Sequence, residues 1–323
     1  MLTALMLAAC VALGMLLDLM LGEAKRWHPL VGFGRLATRI AAWLHHDQAS
    51  RWTGGVAWSL AVLPPVILVQ AGLLWAARNS LWLAPVLHAV LLYFCLGLRS
   101  LRDHTAPIQA ALEESDLASA RQRTSFIVSR DTDDADETDL AKASVESLLE
   151  NGCDAVFGTL FWFVLLGGAG ALLYRLSNTL DAMWGYRTPR WLRFGCVAAR
   201  IDDGLNWIPA RLTALCYALL GNTQLALECW QYQAPRWPSP NAGPVMASGA
   251  GALELALGGA ARYDGVEEIR PPLGRGNLPV AADIARAWRL VLGSAMLWLG
   301  AIVLGCIFLS GAVRSLLNGI LYA

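Results

Sequence analysis

The sequence predicts an all-α, polytopic α-helical integral membrane protein with cytoplasmic helical and loop elaborations. Three observations predict it. Charged residues fill 15% of 323 positions, against roughly 25% in soluble domains. Hydrophobic residues fill 56%, and mean hydropathy is +0.46. Apolar runs of about 20 residues recur along the chain, each long enough to cross ~30 Å of hydrocarbon at ~1.5 Å per residue.

Residues 1–21 form the first run. It has no Lys or Arg at its start and carries Asp18 near its far end, which favours a retained helix over a cleaved signal peptide. Residues 54–77 form the second, with Pro64-Pro65 as a kink that neighbouring helices must tolerate. Residues 81–98 form the third, and only Arg78 to Ser80 separate it from the second, so the two make a tight hairpin. Residues 156–174 form the fourth and 290–309 the last. Segment 194–221 is either one long helix broken near Pro209 or a re-entrant element, and it carries Arg200, Asp202, Asp203, Asn206 and Arg211 at or near membrane depth. The whole chain reads as a single helical membrane domain.

Basic residues orient the spans. Region 22–53 holds Lys25, Arg26, Arg35, Arg39 and Arg51, and region 99–155 holds Arg99, Arg102, Arg121, Arg123, Arg130 and Lys142. The N-terminus is therefore outside, and regions 22–53, 99–155 and 222–289 are cytoplasmic. A full crossing by 156–174 would leave Arg175, Arg187, Arg190 and Arg193 outside, against this rule. The balance of 25 basic and 25 acidic residues leaves no general basic surface for nucleic acid. The seven cysteines are scattered without a CxxC, and read as small buried hydrophobes.

Several constellations carry possible chemistry. Ser129 to Asp139 reads SRDTDDADETD, placing Arg130 beside Asp131, Thr132, Asp133 and Asp134. Short acidic loops suit Mg²⁺, which takes a few carboxylates plus waters and phosphates, and Arg130 suits a phosphate. The same loop also reads as a solvated cap of the next helix. In that helix Glu146, Glu150 and Asp154 share one face at i, i+4, i+8, with nothing basic on that face. A divalent metal site and a wet helix face both fit. Asp202 and Asn206 lie one turn apart, and Arg200 pairs with Asp203 at i, i+3; ionisable groups in a membrane helix are costly and usually functional, although internal neutralisation is the simpler alternative. Ser239-Pro240-Asn241-Ala242-Gly243 is a stiff turn opening a small-residue helix, whose N-terminus suits phosphate or simply close packing. His28 precedes Pro29 in a basic segment, and Arg275 sits in a Gly/Pro-stiffened loop; either suits an anion, and a lone His is also a common structural residue.

Taken in order, these segments resemble the CbiB/CobD family, the adenosylcobinamide-phosphate synthases of cobalamin biosynthesis. The matching pieces are RWHPLVGFGRLA at 26–37, VSRDTDD at 128–134, ASVESLLENGCDAVFGTLFW at 143–162, NTLDAMWGYRTPRWLRFG at 178–195, ARIDDGLNWIPARLTA at 199–214, SPNAGPVMASGAGALELALGG at 239–259 and RPPLGRG at 270–276. The family's Asp-Pro-Pro-like stretch is replaced here by Glu23-Ala24-Lys25, and its Ala-Pro by Gly158-Thr159.

The resemblance implies an ATP-dependent amide ligase in the bacterial inner membrane, with its active site facing the cytoplasm. The reaction would join (R)-1-amino-2-propanol O-phosphate, or ethanolamine phosphate, to a propionate of adenosylcobyric acid, the corrinoid being substrate rather than cofactor. It also implies ATP and Mg²⁺, a lipid surround and neighbouring cobalamin-assembly enzymes as partners. On that basis Asp131, Asp133, Glu146, Glu150 and Asp154 are expected to hold the metal. Arg130, Thr132, Arg200, Arg211, Arg275, His28, Asn206, Ser239, Asn241 and Gly243 are expected at substrate and phosphate groups. Asp202 or Asp203 would take a proton from the attacking ammonium, with Glu150 and Arg211 also in the catalytic set. The alternatives are an AmpE-like membrane sensor, which shares the broad architecture, and a transporter, where broken helices are common.

Overall fold

The computed structural model describes residues 2–24, 26, 28–45 and 50–321, with side chains through residue 311. Met1, Lys25 and Trp27, which belong to segments singled out above, lie outside the described residues. The helices in chain order are α1 (Ala4–Leu21), α2 (Pro29–Leu44), α3 (Arg51–Asn79), α4 (Leu83–Cys95), α5 (Leu98–Glu113), α6 (Leu117–Thr124), α7 (Glu137–Gly152), α8 (Gly158–Trp184), α9 (Cys196–Leu220), α10 (Thr223–Gln233), α11 (Ala242–Leu253) and α12 (Ala281–Leu321). One antiparallel strand pair, β1 (Leu257–Tyr263) and β2 (Val266–Leu273), stands between α11 and α12. Among the described residues five stretches are long and apolar enough to cross a membrane: Ala4–Leu21, Arg51–Asn79, Leu83–Glu113, Glu137–Trp184 and Ala281–Gly311. They coincide with the five expected runs, so the helical membrane class holds.

The chain divides into two compact units. The first comprises residues 1–97, 158–205 and 296–323; the second comprises 98–157 and 206–295. Helices α9 and α12 each contribute to both.

The first unit packs through small side chains. Ala57 and Ala61 of α3 and Ala37 and Ala41 of α2 are buried with Phe33, Leu176, Leu180, Trp184 and Phe194. Small residues let helix backbones approach closely where lipid gives no hydrophobic drive between helices. Gly54 makes the point sharply, since a Cβ there would fall 1.9 Å from the Phe194 carbonyl oxygen. The opposite faces expose Leu63, Ile67, Leu68, Trp75, Leu304 and Phe308, which suits lipid. Helix ends are capped locally. Ser50 and Thr53 form a reciprocal capping box on α3, and the His28 ring accepts the Leu30 N–H at the start of α2.

The fourth run does not cross as one straight span. Helix α8 reverses at Gly167, whose φ of 66° and ψ of −154° lie in a region essentially reserved for glycine. A Cβ at Gly170 would meet the Trp162 carbonyl oxygen at 2.4 Å, and one at Gly158 would meet the Tyr174 ring at 2.2 Å. Residues eight and sixteen apart touch only if the two limbs lie side by side, because a straight helix would separate them by ~12 and ~24 Å. The His88 ring accepts the Gly168 N–H at 2.8 Å and so satisfies a backbone donor freed by the turn. The two limbs of α8 therefore lie side by side, which brings the end of the second limb near Tyr174 back beside the start of the first at Gly158.

Helix α9 is not broken at Pro209. A proline frees the carbonyl four residues back, here that of Leu205. The Trp162 indole N–H donates to that carbonyl at 3.0 Å, which lets the helix continue.

In the second unit, α11 is buried along its whole length. A Cβ at its Gly249 would press on Leu149 of α7 and Tyr217 of α9, and the Tyr217 hydroxyl donates to the Leu149 carbonyl. Between α7 and α8 the chain takes a π turn, Cys153–Phe157. Asp154 lies in that wider turn, past the end of α7 that carries Glu146 and Glu150. The strand pair corrects the expectation of a loop at 270–276. It turns at Asp264-Gly265 and bulges at Gly258/Gly259.

Candidate functional site

The second unit contains two adjoining cavities, of about 430 and 260 Å³, whose linings share Arg130 and Ala143. The acidic loop and the strand pair build the larger one. Asp131 accepts the Gly265 N–H at 2.7 Å, its own N–H donates to the Arg262 carbonyl, and Asp134 pairs with Arg262 at 2.8 Å. Asp133, Asp139 and Lys142 complete the wall, with Lys142 and Asp139 3.1 Å apart. Three aspartates within four residues are thus tolerated because two of them staple the loop to the strand pair.

The smaller cavity has a charged floor. Glu146, with 3% of its side chain exposed, receives Arg270 through two N–H donors at 2.9 and 3.2 Å. It also receives the Gly258 N–H at 2.7 Å and a donor from Arg130. A carboxylate offers about four acceptor sites, and these four donors fill them. Burial alone would lower the Arg270 guanidinium, but the Glu146 charge and hydrogen bonds outweigh it and hold Arg270 above its ordinary value. The Arg270 guanidinium also lies over the Trp237 ring, 5.6 Å from its centroid. Ser147, Glu150, Asn151, Met246 and Tyr263 line the remainder.

This geometry corrects the expected metal set. The helix face of Glu146 does lack a basic neighbour of its own, but two arginines reach it from the preceding loop and from β2. Glu146 is an ion-pair anchor. Asp131 and Asp134 anchor the loop, Asp154 sits on the π turn, and Glu150 lines the smaller cavity. Among the described residues no three His, Cys, Asp or Glu side chains gather into a metal-binding group.

Other expected residues have structural partners. Arg211 donates to the Asn241 side chain at 2.8 Å, to the Pro240 carbonyl at 3.0 Å and to the Trp207 carbonyl at 2.9 Å, so it clamps the turn before α11. The Ser239 hydroxyl accepts the Asn241 and Ala242 N–H groups, and the Ser239 carbonyl accepts that of Gly243. The turn's donors are spent internally, which corrects its expected phosphate role. Gly243 is needed for packing, since a Cβ there would sit 2.7 Å from the Ala234 carbonyl oxygen. Arg275 is exposed and pairs with Glu228 at 3.2 Å. Thr132 is buried in the wall of the larger cavity. Asn206 is buried and accepts from the Cys153 thiol at 3.8 Å.

The first unit holds the remaining candidates. His28 caps α2 through its acceptor nitrogen, and burial lowers its imidazole below the ordinary value against the upward pull of Glu23. Asp202 is buried and accepts from Asn178 at 3.3 Å. Burial raises the Asp203 carboxyl above its usual range, opposed by Arg187. Asp181 lies within electrostatic reach of Asp203, and Arg200 is exposed. The residues missed in the sequence are Arg270, Gly258 and Trp237 in one unit, and Asn178, Asp181 and Arg187 in the other. Arg270 opens the Gly/Pro-stiffened segment singled out for Arg275, and a turn prediction at Asp264-Gly265 would have brought Gly258 and Arg270 onto paired strands.

Comparison with known proteins identifies the relationship. The model of the family described as CobD/Cbib protein matches residues 11–291. The chain is 55% identical over 293 residues to "Cobalamin biosynthesis protein CobD" of Stutzerimonas stutzeri (strain A1501), covering 90% of this chain and 95% of that one. It is 50% identical over 315 residues to the protein of that name from Chromobacterium violaceum, covering 95% and 99%. It is 39% identical over 307 residues to the one from Mycobacterium tuberculosis (strain ATCC 25618 / H37Rv), covering 92% and 94%. No solved structure matches. With five membrane-crossing-capable stretches and a charged two-cavity site, the chain belongs to the CobD/Cbib family of cobalamin biosynthesis proteins.

Proposed function

We propose that this protein is an ATP-dependent amide ligase of the inner membrane, joining an amino-alcohol phosphate to a propionate carboxylate of adenosylcobyric acid. The observation that carries the reading is the buried Glu146 carboxylate fixing Arg130 and Arg270 at the wall of a polar cavity. Among the described contacts Arg130 spends one N–H donor on Glu146, and a guanidinium has five. The remaining donors are preorganised for phosphate oxygens, at no reorganisation cost when charge moves.

A carboxylate is a poor electrophile, so the propionate needs activation by phosphoryl transfer. The balanced outcome is one amide, one ADP and one inorganic phosphate per ATP, with the amine losing its extra protons. Arg130 lies between the two cavities and so serves phosphates on either side.

The carboxylates present do not fit a cage built wholly by protein. They fit Mg²⁺ delivered on nucleotide phosphates, which needs one or two carboxylates and keeps its waters. Asp133, in the wall of the larger cavity, is the group for this. Bound there, Mg²⁺ would neutralise charge on the nucleotide's phosphates. The basic loops and a cytoplasmic supply of ATP support a site on the inner face.

The test is direct. Full-length protein purified in detergent receives adenosylcobyric acid, ATP, Mg²⁺ and (R)-1-amino-2-propanol O-phosphate, and product is read by mass spectrometry. Stoichiometric amide and ADP are expected. Folded protein that yields neither would return the sensor and transporter readings.

A further inference from the structure

We infer that the 260 Å³ cavity is the seat of the amino-alcohol phosphate, with Arg130 and Arg270 taking its phosphate and Glu150 taking its ammonium. The inference rests on the ligase reading and deepens it by assigning one substrate to one cavity.

Size separates the two cavities first. Pockets for drug-sized ligands begin at roughly 300 Å³. The 260 Å³ cavity falls below that, and the adjoining 430 Å³ cavity falls above it. A short phosphate monoester suits the first, and a nucleotide suits the second.

Charge gives the second argument. An amino-alcohol phosphate is a zwitterion, so its site needs cations and an anion held apart. The smaller cavity supplies both. Arg130 and Arg270 meet at Glu146, and Glu150 lies one helical turn further along α7 in the same wall. Side chains at i and i+4 stand ~5–6 Å apart at Cβ. Phosphorus and nitrogen in the ligand are separated by four bonds of about 1.5 Å, a span of similar length. Glu146 itself cannot serve the ammonium, because its acceptor sites are filled by Arg130, Arg270 and Gly258. Asn151 and Ser147, already hydrogen-bonded to each other at 3.2 Å, add polar wall beside Glu150.

Met246 and Trp237, with Ile127, Val128 and Ala143, make the apolar part of the lining. They face whatever carbon the amino alcohol carries, and a methyl group would rest on them. The larger cavity lacks this pairing, having Lys142 and Arg262 among aspartates instead.

Steady-state kinetics on full-length protein in detergent test the assignment. Each substrate is varied in turn, with inorganic phosphate as a competing probe. Glu150→Gln is expected to raise KM for the amino-alcohol phosphate by about tenfold or more, with KM for ATP within about twofold of wild type. Inorganic phosphate, which has no ammonium, should inhibit Glu150→Gln and wild type alike. Arg270→Lys should weaken both the zwitterion and inorganic phosphate, because a lysine cannot reproduce the forked donor. Lys142→Ala should raise KM for ATP alone. A Glu150→Gln enzyme with unchanged KM for the amino-alcohol phosphate, or with KM for ATP raised instead, would overturn the assignment while leaving the ligase reading intact. Wild-type protein that forms no amide would sink the ligase reading itself.

Discussion

Helix α3 meets its neighbours through Gly54, Ala57 and Ala61, whereas helix α7 meets the strand pair through Glu146. The contrast runs through both units. In the first, backbones approach because side chains are small, and glycine is fixed wherever a Cβ would strike a carbonyl. In the second, ion pairs at Arg99–Asp103, Arg130–Glu146, Asp139–Lys142, Asp134–Arg262, Glu146–Arg270, Glu228–Arg275 and Asp283–Arg286 tie the chain together. The difference follows from the solvent each unit must satisfy. Lipid rewards close van der Waals packing, while buried charge survives only with partners. Chemistry on phosphates and carboxylates therefore belongs to the second kind of construction.

Substitutions can break this comparison, and the largest effect is expected at Glu146. Removing one partner of a buried ion pair leaves charge uncompensated, at a cost of ~3–5 kcal/mol. Glu146→Ala should lower the unfolding free energy in detergent by that amount, and an unshifted denaturation midpoint would deny that the triad organises its unit. A smaller effect is expected at the turn of the first unit. Gly167→Ala places a Cβ 2.6 Å from the His88 ring at a φ of 66°, with a cost of ~1–3 kcal/mol. Gly72→Ala, in α3 with open space around it, is its control, and equal stability for the two variants would deny the fold-back. The smallest effect is expected at Arg275. Its pair with Glu228 is exposed, so Arg275→Ala should change stability by ~0–1 kcal/mol and leave amide formation intact. A large loss of activity there would restore the phosphate role expected from sequence.

The apolar runs were legible because about 20 residues with at most one charge admit few other readings, and α1, α3 and the later part of α12 lie where those runs lie. The reversal at Gly167 was hidden inside such a run. Gly167-Gly168 is its only local mark, and its cause is packing against His88, eighty residues away. The unbroken α9 was illegible for a similar reason, since the group that repairs the proline gap is Trp162. At the site, the charged loop and the acidic face of α7 stood out in the sequence, and both line the cavities. Their meaning did not, because the partners of Glu146 come from 16 residues before it and 124 after. A helical wheel reports only what a helix carries, and two arginines on other elements turned a metal ligand into an anchor.

The central claim is that arginines held by a buried glutamate receive the anionic substrates. Amide formation by full-length Arg130→Ala, measured as kcat/KM beside wild type in the same detergent, tests it most directly. Arg130 borders both cavities, so the account predicts a fall of about a hundredfold or more in protein that still purifies folded. Folded Arg130→Ala protein working within about twofold of the wild-type rate would contradict it.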